Sequence, residues 1–159
     1  MEKILAAADG FAGLLAFSLG ISGLAVYSNW TPDNVAVGIW GGIYLLAFAA
    51  LLFMKMLKKS EIVMGMAVLA ALIGATMIGI HSWSIDMYQP LIADCKMYDS
   101  INSTLPNSTV TIGEEYPDIF EPVKICDRTA IDSLMLVCGI LAVVVNGFIA
   151  ATASSIASD

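Results

Sequence analysis

Residues Ile62 to Trp83 read IVMGMAVLAALIGATMIGIHSW, and this stretch contains no Asp, Glu, Lys or Arg. A helix of about twenty apolar residues spans the roughly 30 Å hydrocarbon core of a bilayer. Lipid offers the peptide backbone no hydrogen-bond partner, and the stretch lacks the alternating pattern of a barrel strand. The stretch is therefore predicted to cross a membrane as an α-helix.

Three further stretches are similarly long and apolar. They run from about Ile4 to Tyr27, from Val35 to Leu57, and from Ile131 to about Ile156. Asp9 interrupts the first of them, whose apolar part is longer than that of a signal peptide, so it is predicted to be a retained span. The prediction is an all-α membrane protein in which residues 1–159 form a single bundle of four transmembrane helices.

The composition favours the same class of protein. Hydrophobic residues make up 58% of the chain and charged residues 13%, whereas soluble domains are about half apolar and about a quarter charged. The net charge is −7, and nine of the fourteen acidic residues lie between Asp86 and Asp132. This acidic segment is not expected to bind nucleic acid or an anionic membrane surface, and membrane lipids are the predicted surroundings of the spans.

The connection between the last two predicted spans, residues 84–130, is long and polar and contains four of the five prolines. Cys95 and Cys126 bracket its central part. A disulfide between them would remove about 3–4 kcal/mol of chain entropy from the disordered state, and the alternative is two free thiols. Asn102 and Asn107 each begin an Asn-Ser-Thr glycosylation sequence. The prediction is a large, disulfide-closed and glycosylated extracellular loop.

This loop sets the predicted orientation. If it lies outside the cell, both termini and the turn that contains Lys58 and Lys59 are cytosolic. Four basic residues then lie on the cytosolic side and three on the other, which is a weak bias in the direction of the positive-inside rule. The predicted location is the plasma membrane or a ciliary or secretory-pathway membrane.

Four side chains stand out within the predicted spans. Asp9 and Asn146 are costly in lipid and mark either function or a hydrogen bond between helices, although Asp9 can also lie at the cytosolic boundary. His81 is the only histidine; it is expected at headgroup depth or, alternatively, as a pH-sensitive residue paired with Asp86. Cys138 has no companion ligand nearby in the sequence and is predicted to pack as a small apolar residue.

Small residues recur four positions apart in the spans, a spacing that lets helix backbones approach closely. Gly38 with Gly42 and Ala70 with Gly74 are predicted as helix-packing positions, to which Asn146 adds its hydrogen bond. The second and third spans are expected to use these faces against a neighbouring chain. The alternative is that the same faces serve only inside the bundle.

Reactive groups are not arranged for catalysis in the sequence. No span contains paired carboxylates, a zinc-ligand spacing or a nucleophile beside a base, and catalysis requires such positioned groups. Neither an enzymatic activity nor a cofactor nor a metal site is expected.

The order of the parts resembles that of the membrane-spanning four-domains subfamily A proteins, which include the B-lymphocyte surface antigen and the IgE-receptor β chain. The sequence GIWGGIY from Gly38 to Tyr44 is similar to the Trp-Gly-Gly segment in the family's second span. The short lysine turn, the third span and the cysteine pair in the large second loop also match, but the long cytosolic tails of many members are lacking. Claudins carry their cysteine loop after the first span, and tetraspanins have a Cys-Cys-Gly motif that is absent here.

Three classes of function follow from these features. The expected function is a non-enzymatic accessory or organising subunit that packs against copies of itself or against a larger integral membrane protein. The alternatives are a subunit of an oligomeric ion channel and a surface recognition protein that binds a ligand through the acidic loop. A pore is lined by polar groups, and only Asp9, Asn146 and scattered Ser and Thr qualify, which favours the accessory subunit.

Overall fold

The computed structural model of the chain is helical, and no strand occurs among the residues that it describes. These are residues 2–26, 36–104 and 122–158, with side chains described for 2–25, 36–87 and 128–157. The helices are α1 (Glu2–Val26), α2 (Val37–Phe53), α3 (Ser60–Thr104), α4 (Pro122–Ala151) and the short α5 (Ala153–Ser158). The prediction of an all-α chain is confirmed.

Three helical segments are long and apolar enough to cross a membrane. They are Glu2–Ala25 in α1, Ser60–Met87 in α3 and Arg128–Ala151 in α4. Helix α2 is also apolar but is shorter, with 17 residues. These helices fit an integral membrane protein, as the composition predicts.

Helix α2 ends before the predicted second span does, because the chain turns sharply at Lys55. This residue has a left-handed backbone conformation with φ of 53°. Its amide donates to the carbonyl of Leu52, and the amide of Met56 donates to the carbonyl of Leu51, which closes the helix as a Schellman motif. Glycine is the usual residue at this position, and a side chain there costs about 1–2 kcal/mol.

Helices α3 and α4 extend well beyond the predicted spans. Residues 84–104 and 122–130, predicted as parts of a polar loop, continue the two helices. The prediction placed the end of each helix where the sequence stops being apolar. That position marks only the end of the segment that can lie in lipid. A helix outside lipid is also stable where one of its faces packs against a neighbouring helix. At its other end α4 is interrupted at Thr152 and continues as α5.

Helices α1 and α2 pack through glycines with their backbones nearly in contact. A Cβ atom added to Gly42 would lie 2.6 Å from the amide nitrogen of Phe17 and 2.8 Å from the carbonyl oxygen of Gly13. A Cβ atom added to Gly20 would lie 2.8 Å from the amide nitrogen of Ile39. These distances leave no room for a methyl group, so the glycines set the spacing of the two helices.

This packing corrects the expectation that Gly38 and Gly42 face a neighbouring chain. Both glycines are buried, and a Cβ atom on Gly38 would lie 2.8 Å from the carbonyl oxygen of Ala16. Helix α1 thus occupies the face that the sequence offered for a lateral contact. Trp40 lies on a different side of α2 and is exposed.

Helices α3 and α4 form the second closely packed pair. A Cβ atom on Gly74 would lie 2.8 Å from the carbonyl oxygen of Gly139, and one on Gly139 would lie equally close to the carbonyl oxygen of Gly74. Ala70 is fully buried as well. Ala70 and Gly74 of the third predicted span therefore also lie inside the bundle.

The two helix pairs meet mainly between α1 and α4. Helices α2 and α3 touch less, and there Tyr44 donates a 3.0 Å hydrogen bond to the carbonyl oxygen of Met66. The interior is filled by apolar side chains, of which Phe48 and Met77 are among the largest that are fully buried. Cys138 is a free thiol within this core.

Candidate functional site

Two clusters of polar side chains are buried between the helices, and the first joins α1 to α4. Asp9 and Asn146 are both 0% exposed. The Nδ2 atom of Asn146 donates a 2.6 Å hydrogen bond to Oδ1 of Asp9 and a 2.9 Å hydrogen bond to the carbonyl oxygen of Ala142. The Asp9–Asn146 pair therefore ties the two helix pairs together, and Asp9 faces the interior of the bundle.

One oxygen of each side chain in this pair has no hydrogen-bond partner among the described residues. These atoms are Oδ2 of Asp9 and Oδ1 of Asn146. An unpaired buried acceptor costs about 1–3 kcal/mol, and ionisable side chains inside membrane spans are rare outside functional positions. The pair is a candidate site for that reason. The sequence singled out both residues but could not join them, because they lie 137 positions apart.

The second cluster joins α3 to α4 and consists of His81, Ser84, Arg128 and Asp132, here called the Asp132 cluster. The Nδ1 atom of His81 lies 2.6 Å from Oδ1 of Asp132, and the hydroxyl of Ser84 donates a 2.7 Å hydrogen bond to Oδ2 of the same carboxylate. The Nε atom of Arg128 lies 3.5 Å from that Oδ2 atom. All four residues are buried, so the carboxylate is the centre of a buried polar contact between the two helices.

The acidic partner of His81 is thus Asp132, whereas Asp86, the partner considered from the sequence, is exposed. His81 and Ser84 are three positions apart on α3, and Arg128 and Asp132 are four apart on α4, so each pair lies on one helical face. This spacing is visible in the sequence. It was missed because residues 84 and 128 were assigned to the loop, where helical spacing has no meaning.

The Asp132 cluster contains the residue types of a catalytic triad but not its arrangement. In a triad the serine hydroxyl contacts Nε2 of the histidine, and the aspartate contacts Nδ1. Here Ser84 donates to Asp132 instead. The Nε2 atom of His81 is buried without a hydrogen-bond partner among the described residues. The hydroxyl of Ser84 is bonded to the carboxylate on the neighbouring helix, a geometry suited to holding α3 against α4.

Several predicted site residues lie where the structure gives no side-chain positions. Cys95 and Asn102 belong to α3 and Cys126 belongs to α4, but their side chains lie outside the described residues, as does the whole of Asn107. The disulfide and the glycans therefore stay predictions. Among the side chains that are described, no group of three or more His, Cys, Asp or Glu is placed to hold a metal ion.

No protein-family model, no curated protein and no solved structure matches this chain. The likeness to the four-domains subfamily is therefore a proposal that depends on the order of the parts and on the segment from Gly38 to Tyr44.

Proposed function

We propose that this chain is a four-span membrane protein that acts without catalysis as an accessory or organising subunit. In this proposal the outer surface of the bundle packs against copies of the chain or against a larger integral membrane protein. One observation carries it: in the described helices the side chains of Asp9, Asn146 and Asp132 bond between helices in the interior, whereas large apolar side chains are exposed on the outer surface.

Helix α2 is the fourth span in this proposal. Its 17 residues give a length of about 25 Å, which is at the short end of the range for transmembrane helices. Helix α2 also lies against the apolar length of α1, from the contact of Gly38 with Gly20 to that of Gly10 with Ala49. A helix in such contact with α1 shares its depth in the bilayer.

The outer surface offers large apolar side chains on every long helix. Phe11 on α1, Leu72 on α3 and Phe148 on α4 are each more than half exposed, at 58%, 59% and 61%. Exposed apolar surface on this scale marks contact with lipid or with other proteins. In a bilayer such a surface associates with other helices through close packing and interhelical hydrogen bonds.

The same division between interior and surface argues against a pore built from several copies. Such a pore would be lined by polar groups on the outer faces of the helices, but Asp9 and Asn146 are bonded to each other in the interior. The exposed hydroxyls of Ser18, Ser22 and Thr76 each donate to a carbonyl oxygen of their own helix. Scattered hydroxyls of this kind differ from the rings of charged side chains or backbone carbonyls that line a selective pore.

The extracellular loop completes the proposal. Cys95 and Cys126 lie on α3 and α4, the pair of helices that pack against each other, which supports a disulfide between them. With glycans at Asn102 and Asn107, the loop lies outside the cell and the termini are cytosolic. A tetraspan chain with these parts is the arrangement of the four-domains subfamily A proteins.

Purified protein in planar bilayers is expected to stay electrically silent, because Asp9 and Asn146 are bonded to each other in the interior and do not reach the outer surface. In a mild detergent the mass of the protein complex is expected to exceed the mass of one chain. Single-channel recording and native mass spectrometry on one preparation measure both properties. Unitary currents that Asp9→Ala abolishes and Ser18→Ala preserves would favour the channel. A measured mass equal to that of one chain, with no second protein bound, would contradict the proposed assembly.

A further inference from the structure

An open cavity of about 570 Å³ lies where α1 begins and where α2 and α4 end. This end of the bundle is called the lysine end here. The charged lining of the cavity consists of Glu2, Lys3 and Lys55, and its apolar lining includes Leu5 and Ile156. Ligand sites commonly have volumes of about 300–1,000 Å³ and combine apolar walls with a few placed polar groups. The cavity has the size and the mixed lining of such a site.

The cavity lies at the border between the polar and apolar parts of the helices. Glu2 and Lys3 belong to the first turn of α1, and Lys55 follows the end of α2 at Phe53. Leu5, two residues after Lys3, is the apolar lining residue that α1 contributes. In a bilayer this border is the depth of the phospholipid headgroups, where basic pockets between helices bind charged lipids.

Two lysines, Lys3 and Lys55, line the cavity. The Schellman motif sets the backbone of Lys55, whose Nζ atom lies 3.7 Å from Oε2 of Glu2. The Nζ atom of Lys3 lies 5.8 Å from the ring centre of Phe53. The Lys55 side chain is 51% exposed, and an ion pair of this length and exposure contributes little to stability. An incoming phosphate can therefore replace Glu2 as the partner of Lys55.

We propose that this cavity binds the headgroup phosphate of an anionic phospholipid from the surrounding leaflet, between Lys3 and Lys55. The phosphate oxygens accept hydrogen bonds from the two ammonium groups, and the glycerol and first acyl carbons lie against Leu5 and Ile156. Two positive charges and one negative charge line the cavity, so a headgroup with net negative charge is favoured over a zwitterionic one. The proposal requires only that this end of the bundle lies at a membrane surface, and it is independent of the accessory function.

Titration of delipidated protein with phosphatidylserine in a neutral detergent, followed by native mass spectrometry, tests the site. Lys3→Gln and Lys55→Gln are each expected to weaken binding about fivefold, the effect of one ammonium group beside an anionic headgroup. Glu2→Gln is expected to strengthen binding, because it removes the carboxylate that competes with the phosphate. This gain cannot arise from misfolding.

Lys58→Gln and Lys59→Gln are the matched controls, because these lysines belong to the turn after α2 but do not line the cavity. They are expected to leave the affinity unchanged. An equal loss of affinity in all four lysine variants would mean that the lipid is held by non-specific electrostatic attraction, and it would overturn the proposal. Equal affinity for phosphatidylcholine, or a loss of binding in Glu2→Gln, would also overturn it. Inorganic phosphate that competes with the lipid at equal concentration would identify a site for free anions instead.

Discussion

Replacement of Asp132 by alanine is expected to lower the free energy of unfolding of the bundle by about 3–5 kcal/mol. The carboxylate accepts a hydrogen bond from Ser84, contacts Nδ1 of His81 and lies 3.5 Å from Nε of Arg128. Its removal takes the counter-charge away from the guanidinium of Arg128, a residue that is only 5% exposed. Unfolding of the purified protein by a denaturing detergent in mixed micelles, followed by circular dichroism, measures the loss.

Asp86→Ala is the matched control for this prediction. Asp86, like Asp132, lies near the end of its apolar segment, but it is exposed, so its removal is expected to change the stability by less than about 0.5 kcal/mol. The double substitution of Arg128→Met with Asp132→Leu is expected to cost less than Asp132→Ala alone, because it leaves no buried charge without its partner. Equal costs for Asp132→Ala and Asp86→Ala would mean that the Asp132 cluster does not hold α3 to α4.

Replacement of Gly42 by alanine is expected to destabilise the bundle by about 1–3 kcal/mol or more. The new methyl group would lie 2.6 Å from the amide nitrogen of Phe17 and 2.8 Å from the carbonyl oxygen of Gly13. Both are backbone atoms, which cannot move aside as the end of a side chain can, so α1 and α2 must separate. Gly42→Leu is expected to prevent the two helices from docking. The same unfolding measurement, together with the elution volume in mild detergent, reports both effects.

Gly79 and Gly147 provide controls of the same residue type. A Cβ atom added at either position meets nothing within 4 Å among the described residues. Gly79→Ala and Gly147→Ala are therefore expected to leave the stability unchanged or to raise it by up to about 1 kcal/mol, because alanine is the better helix former. If Gly42→Ala is tolerated as well as these two substitutions, the close approach of α1 and α2 does not exist.

The helices were predictable from the sequence because a helix surrounded by lipid needs a long, continuous stretch of apolar residues. Their ends were less predictable. The turn at Lys55 places a lysine in a backbone conformation that glycine usually takes, so the sequence gives no sign of it. The extension of α3 to Thr104 was missed because polarity was used as the boundary, although backbone hydrogen bonds and packing decide where a helix ends.

The candidate sites were predictable as single residues but not as contacts. Asp9, Asn146 and His81 each stand out as polar groups in apolar surroundings. Their partners depend on how the helices are arranged, and His81 lies 51 positions from Asp132. The spacing of Gly38 and Gly42 likewise predicts that another helix backbone approaches closely, but it does not indicate which helix. Helix α1, and not a neighbouring chain, meets that face in the structure.

The measurement that most directly tests the four-span bundle is the side from which single cysteines are labelled in intact cells. With Cys95, Cys126 and Cys138 replaced by alanine, Asp33→Cys reports on the connection between α1 and α2, and Lys58→Cys reports on that between α2 and α3. If α2 crosses the membrane, an impermeant maleimide labels the first residue from outside the cell and the second only after permeabilisation. Labelling of both residues from the same side would contradict the four-span bundle.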